Sequence, residues 1–159
     1  MDSTDRQILD LLQQDATLST AAIAEQVGLS PTPCWRRIQN LEKAGVLRGR
    51  VALLDRKQLD LNVDVFVEIK TDRHTPEWIE TFTRAIDELD EVVECYRMSG
   101  EVDYLLRVAV GDIEAYDAFY KRLIERVEVA NISSYFSMER MKYTTALPLQ
   151  SKGRDAEDS

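Results

Sequence analysis

Soft ligands are scarce in this chain of 159 residues. It has two cysteines, Cys34 and Cys95, far apart in sequence, and one histidine, His74. That is too few for a zinc site or a disulfide framework. Both cysteines read as small half-buried hydrophobes, and His74, in the polar stretch TDRHTPEW, reads as facing water. One histidine also leaves no Ser/His/Asp or Cys/His set for nucleophilic catalysis. The expectation is a protein that is not an enzyme and uses no metal or cofactor. Six glycines and four prolines exclude collagen-like and low-complexity chains. No apolar run approaches the roughly 18 residues of a membrane span, and the charged start MDSTDRQILD lacks a signal-peptide core. A cytoplasmic protein without a membrane partner is expected.

What is present is ordinary globular composition, 44% hydrophobic and 31% charged, in a length that suits one domain or two small ones. The net charge of -9 argues against nucleic acid, but its distribution argues for it. Residues 1–29 hold one Arg against five acids. Residues 30–50 hold five basic residues (Arg36, Arg37, Lys43, Arg48, Arg50) against Glu42 alone, and residues 51–150 hold 12 basic against 20 acidic. Positive charge confined to one short segment is a footprint suited to a phosphate backbone.

That segment sits in a helical pattern. Ile8, Leu11, Leu12 and Ala16 recur at helical spacing behind the capping residues Asp2, Ser3 and Thr4. A second helix from Thr20 carries Ile23 and Val27 and stops at Gly28. Ser30 caps a third, with Pro31 and Pro33 in its first turn and Cys34, Ile38 and Leu41 on its apolar face. Three short helices with the turn Val27-Gly28-Leu29 match a helix-turn-helix. Thr32, Arg36, Arg37 and Asn40 project from the face opposite Ile38 and Leu41, and their types contact phosphates and base edges. A small helical bundle with a solvated basic face fits the same spacing.

GRVALLDRKQLDL follows as a short strand and connector, and from Val63 the period changes to two. Val63, Val65, Val67 and Ile69 alternate with Asp64, Phe66, Glu68 and Lys70. Trp78 to Leu89 reads as a helix, Val92 to Met98 and Tyr104 to Val110 as strands, Ala115 to Val127 as a helix, and Ile132 to Met138 as a strand. The order βαββαβ is the ferredoxin-like arrangement, with both helices on one face of an antiparallel sheet. Val65, Val67, Tyr96, Leu105, Arg107, Tyr135 and Met138 make both sheet faces partly apolar, which predicts packing against a second copy. The fold class is therefore α+β, an N-terminal helix-turn-helix (residues 1–50, reading span 20–39), a strand and connector (51–62), a second domain (63–148) and a polar tail (149–159) expected to be disordered.

The turn RMSGEVDYLLRV has two readings. Gly100 supplies the backbone freedom a tight hairpin wants and Asp103 bonds its own backbone. Alternatively, N–H groups at Gly100 hold a carboxylate while Glu101 or Asp103 meets an ammonium, which makes an amino-acid site. Spacing does not choose between them.

Taken in order, DRQILDLLQQDA, AEQVGLSPTPCWRRIQNLEKAGVL, VALLD and SGEVDYLLRV resemble the Lrp/AsnC family of bacterial transcription factors over nearly the whole chain. The resemblance implies a winged-type helix-turn-helix joined to an amino-acid-sensing ferredoxin-like domain, in dimers that assemble further, commonly to octamers. It implies sensing residues Met98, Ser99, Gly100, Glu101, Asp103 and Tyr104, with Ser133, Ser134 and Tyr135 as a second wall. Bound to a roughly palindromic double-stranded operator, Thr32, Pro33, Arg36, Arg37 and Asn40 would read the major groove, Lys43, Arg48 and Arg50 would neutralise phosphates, and Ser30 at the helix start completes the DNA-binding set. SPTPCWRRI, RVALLD, EIKTDRHTPEW, YRMSGEVDYLLRV, YDAFYKRL and SMERMKYTTALP are similar to a cysteine-responsive subgroup, which implies L-cysteine as effector and control of amino-acid metabolism or detoxification. Such a regulator is expected in the cytoplasm, nucleoid-associated; the competing reading is an architectural DNA organiser that senses nothing.

Overall fold

The computed structural model describes residues 1–149. They form two compact units, one of residues 1–53 with 142–149 and one of residues 54–141.

The first unit is built on three helices, α1 (Ser3–Gln14), α2 (Thr20–Gln26) and α3 (Pro31–Lys43). Asp2 and Asp5 close a reciprocal capping box on α1: the Asp5 N–H donates to Asp2 Oδ1 at 2.8 Å and the Asp2 N–H to Asp5 Oδ2 at 3.0 Å. α1 buries Ile8, Leu9 and Leu12. Leu11 is half-buried against the same core, Leu9 joins the buried set, and Ala16, expected on the helix, lies exposed beyond its end at Gln14. α2 ends in a left-handed Gly28 (φ +69°), where the Leu29 N–H reaches back to the Ala24 carbonyl at 2.9 Å. This paired closure turns the chain sharply into α3. Ser30 stands at the start of α3 but its side chain makes no capping bond, against expectation. The reason is Pro33: the third helical N–H that a Ser cap would serve is missing there. Ile8, Leu12, Ile23, Cys34, Ile38 and Leu41 meet in one core. Cys34 is fully buried, while Cys95 is exposed, so the two thiols are not alike.

The chain end also belongs to this unit. Gln13 Nε2 donates to the Leu147 carbonyl at 2.9 Å, the Leu147 N–H returns to Gln13 Oε1 at 2.8 Å, and Leu149 packs on the helical core. The compact unit built on the sheet closes at Met141, and residues 142–149 group with the helices. From residue 150 on, the expected disordered tail lies outside the described residues.

No strand forms in residues 49–61, where one was expected; a short 3-10 turn, Arg56–Leu59, stands there instead. VALL has strand-forming side chains, but a strand needs a ladder and this segment finds none within its own chain. Val51 and Leu54 are left 80% and 71% exposed.

The second unit is an antiparallel sheet of β1 (Val63–Lys70), β2 (Val92–Arg97), β3 (Tyr104–Val110) and β4 (Asn131–Phe136) in the order β2-β3-β1-β4. Helices α4 (Pro76–Asp87) and α5 (Ile113–Arg126) cover one face. Register decides which side chains they cover. Val65 lies opposite Val108, Val67 opposite Leu106 and Ile69 opposite Tyr104, and these fully or nearly buried residues meet Trp78, Phe82, Phe119 and Leu123. Each such aliphatic contributes about 1.5 to 3 kcal/mol by leaving water. Val65 and Val67 are therefore core and not part of the bare face. That face carries Phe66, Tyr96, Leu105, Arg107 and Tyr135, and Met138 lies beyond the end of β4.

Candidate nucleic-acid interface and ligand site

The reading face follows from how α3 is held. With Cys34, Ile38 and Leu41 buried, Thr32, Arg36, Asn40 and Lys43 follow at steps of about one turn on the outward side, and all four are exposed. Among the described residues, no carboxylate pairs with Arg36, Lys43 or Arg48 (all cations exposed to solvent). Ser30 is exposed at the helix start and Pro33 half-buried beside it. Arg37 and Arg50 differ. Arg50 Nη2 lies 3.3 Å from Glu42 Oε1. Arg37 sits one step toward the core, on the flank and not opposite Ile38 as expected, and its Nη1 is held by Asp2 Oδ2 at 2.7 Å and Asp5 Oδ1 at 2.8 Å. Its guanidinium ties α3 to the first turn of α1. Next to the stripe Trp35 is 55% exposed, a large aromatic that the sequence reading passed over. Its signal was available: an indole outside the i, i+4, i+7 apolar set on a basic helix.

At the sheet, Met98, Ser99, Gly100 and Glu101 form an exposed turn between β2 and β3, with Gly100 at φ +127°. Asp103 anchors it. The Met98 N–H donates to the Asp103 carbonyl at 2.8 Å, the Asp103 N–H to the Ile69 carbonyl at 3.1 Å, and the Thr71 N–H to Asp103 Oδ2 at 2.8 Å. Asp103 Oδ1 faces the exposed His74, 3.9 Å from its Nε2.

The remaining residues of the expected site part company. Tyr104 is 7% exposed and packs at a tilt against Trp78 and Phe82, because its place opposite Ile69 turns it to the covered face. Ser134, opposite Val67, turns the same way, and its hydroxyl meets the Tyr116 hydroxyl. Ser133 and Tyr135 lie on the bare face, with the Tyr135 hydroxyl donating to Glu68 Oε2 at 3.3 Å. One strand cannot present 133, 134 and 135 to one ligand, since successive side chains alternate.

Sequence comparison now adds to this geometry. Residues 1–48 match the model for winged helix-turn-helix DNA-binding domains, and residues 64–147 match the Lrp/AsnC ligand binding domain. The chain belongs to the Lrp/AsnC family.

Its relatives cover it almost end to end. It is 49% identical over 151 residues to the DNA-binding transcriptional activator DecR of Escherichia coli (strain K12), spanning 94% of this chain and 99% of that one. The crystal structure of an AsnC family transcriptional regulator from Agrobacterium tumefaciens is 58% identical and superposes with a TM-score of 0.91, covering 94% and 97% of the two chains. A Neisseria meningitidis transcriptional regulator solved as its L-Met complex is 35% identical with a TM-score of 0.89 over the same shares. As an Lrp/AsnC protein the chain is a DNA-binding transcriptional regulator with an amino-acid-binding domain. No described helix is long and apolar enough to cross a membrane.

A second charged group of the Lrp/AsnC domain is built by contacts between distant segments. Asp64 on β1 is only 9% exposed, yet charged, and takes Arg107 from β3, Arg56 and Arg140 as partners. Burial alone would push its carboxyl up, but the hydrogen bonds from Arg56 and Arg140 outweigh that and hold it below the usual carboxylate range. An acid near the start of a valine-rich strand was the available hint; its partners required the register.

Proposed function

We propose that this protein binds a roughly palindromic operator through Ser30, Thr32, Pro33, Arg36 and Asn40, with Lys43, Arg48 and Arg50 on phosphates, and that L-cysteine modulates that binding. The observation that carries the DNA reading is the exposed stripe Thr32, Arg36, Asn40 and Lys43 on a helix whose other face is fully used in the core. Unpaired cations on a pre-formed helix supply salt-dependent affinity, and polar side chains between them read base edges. Arg37 acts indirectly, by fixing α3 on α1.

The amino-acid site uses the turn Met98 to Glu101 with Asp103 as its anchor, and a neighbouring copy supplies the facing wall. Exposed Phe66, Tyr96 and Tyr135 on the bare sheet face, with Val51 and Leu54 in the connector, support a homodimer that assembles further, to an octamer by family likeness. Likeness to the cysteine-responsive subgroup and 49% identity to DecR support L-cysteine over other amino acids. Such a regulator works in the cytoplasm on genes of amino-acid metabolism or detoxification.

The test is a footprint titration on the DNA upstream of the protein's own gene, with and without L-cysteine, L-leucine and L-methionine at fixed salt. An L-cysteine-selective change in footprint or affinity supports the reading. Tight binding that ignores every amino acid moves the protein to the architectural class.

A further inference from the structure

The chain passes between its two units twice, at residues 53/54 and 141/142. Each crossing places an arginine within three residues of it, Arg56 on the way in and Arg140 on the way out, and both guanidinia end on the same Asp64 carboxylate. The main chain repeats the pattern. The Ser137 N–H donates to the Asp64 carbonyl at 2.9 Å, and Arg56 Nη2 donates to the Val63 carbonyl at 3.3 Å. From the other side Arg107 reaches Asp64 Oδ1 at 3.2 Å while its Nε and Nη2 grip Glu94 Oε1 at 2.9 and 2.6 Å. Glu94 stands on β2, the strand that runs into the Met98 to Asp103 turn. The line Glu94, Arg107, Asp64, then Arg56 and Arg140, crosses three strands and ends at both connectors.

A carboxylate offers about four acceptor positions, enough to serve several guanidinia at once. Two connectors that share one anion are released together when that anion is lost, whereas two separate ion pairs are not. We propose that Asp64 is the positioning residue through which the sensing sheet holds both connectors, so that an amino acid bound at the sheet's end acts on the DNA-binding unit through this one carboxylate. The second half of that statement rests on the amino-acid-responsive reading above; the first does not.

Limited trypsin digestion of the native full-length protein tests the first half, since Arg56, Lys57, Arg140 and Lys142 all lie in the connectors. Asp64→Asn should speed cleavage at both connectors about fivefold, because cleavage tracks the population of the open segment. Arg56→Gln should speed only cleavage after Lys57, and Arg140→Gln only cleavage after Lys142. Should Asp64→Asn fail to fold, the double variant Arg56→Gln/Arg140→Gln should release both. An Asp64→Asn protein, or that double variant, in which either connector keeps its wild-type rate overturns the clamp.

The second half is read by calorimetry and mobility shift on the same proteins with L-cysteine as probe. The variants should bind L-cysteine as the wild type does, yet lose the L-cysteine-induced change in DNA Kd. A full change in the variants overturns the relay. If wild-type DNA affinity ignores L-cysteine, the amino-acid reading fails on its own account and the relay with it, while digestion alone decides the clamp.

Discussion

Both units pair arginines with carboxylates, but the helical unit leaves a stripe of cations without a carboxylate partner among the described residues. In the sheet unit Arg56, Arg107 and Arg140 converge on the nearly buried Asp64, and Arg84, Arg122 and Arg126 each face a glutamate. In the helical unit Arg36, Lys43 and Arg48 stand in solvent without a carboxylate partner among the described residues, while Arg37, one residue along, is held by two. The contrast teaches where positive charge is spent on the fold and where it is kept for a partner. A chain with net charge -9 binds DNA only if its acids are kept away from, or already neutralised beside, the helix that meets the phosphates.

The largest effect should come from the paired side. Removing the Asp64 carboxylate in Asp64→Ala leaves the part-buried Arg56 and Arg140 without their shared anion, Arg107 keeping only Glu94, and should cost about 2 to 3 kcal/mol, measured by urea denaturation. A cost under 1 kcal/mol would mean the cluster is solvated and the contrast false. The effect carries a pH signature. Because the folded carboxyl titrates below its unfolded counterpart, its stabilisation is complete above the ordinary carboxylate range and is lost as pH falls through and below it. The stability gap between wild type and Asp64→Asn should narrow in acid, and a gap that widens would reverse the assignment.

On the unpaired side, Arg36→Ala should weaken operator binding by about 1 to 3 kcal/mol while leaving the thermal midpoint in place. Equal loss on operator and unrelated DNA would reassign Arg36 from base reading to phosphate. A smaller effect belongs to the turn that orients α3. Gly28→Ala puts a side chain at φ +69° with open space around it, so it should cost only about 1 kcal/mol, through backbone strain. Smallest should be Arg37→Ala, which loses two ion pairs, to Asp2 and to the less exposed Asp5, worth about 1 kcal/mol of stability, with DNA affinity falling only as far as α3 loosens on α1.

Much of this was legible in the sequence, for reasons that also mark where reading stops. Alternation in β1 gave the strand itself, because a period of two is a local signal, but which face is buried needed the register, and Val65 and Val67 proved to be core. Helical spacing and Gly28 located the helix-turn-helix, because a left-handed stop is a local event. What failed depends on contacts between distant segments. Arg36 and Arg37 differ by one helical step, and only the docking of Asp2 and Asp5 against α3 separates a free cation from a bound one. Tyr104 and Ser134 look polar in the sequence, yet their register turns them inward. The strand expected in VALL lacked a partner, and nothing in TTALPL announces that Leu147 bonds to Gln13. Local pattern carries elements; pairing of charges needs the assembled fold.

The most direct test of the account compares neighbours on one helix. The dependence of log Kd on log salt should be measured on one duplex for the wild type, Arg36→Gln and Arg37→Gln. The slope should be shallower by about one for Arg36→Gln and unchanged for Arg37→Gln. A slope that moves with Arg37 and not with Arg36 would contradict it.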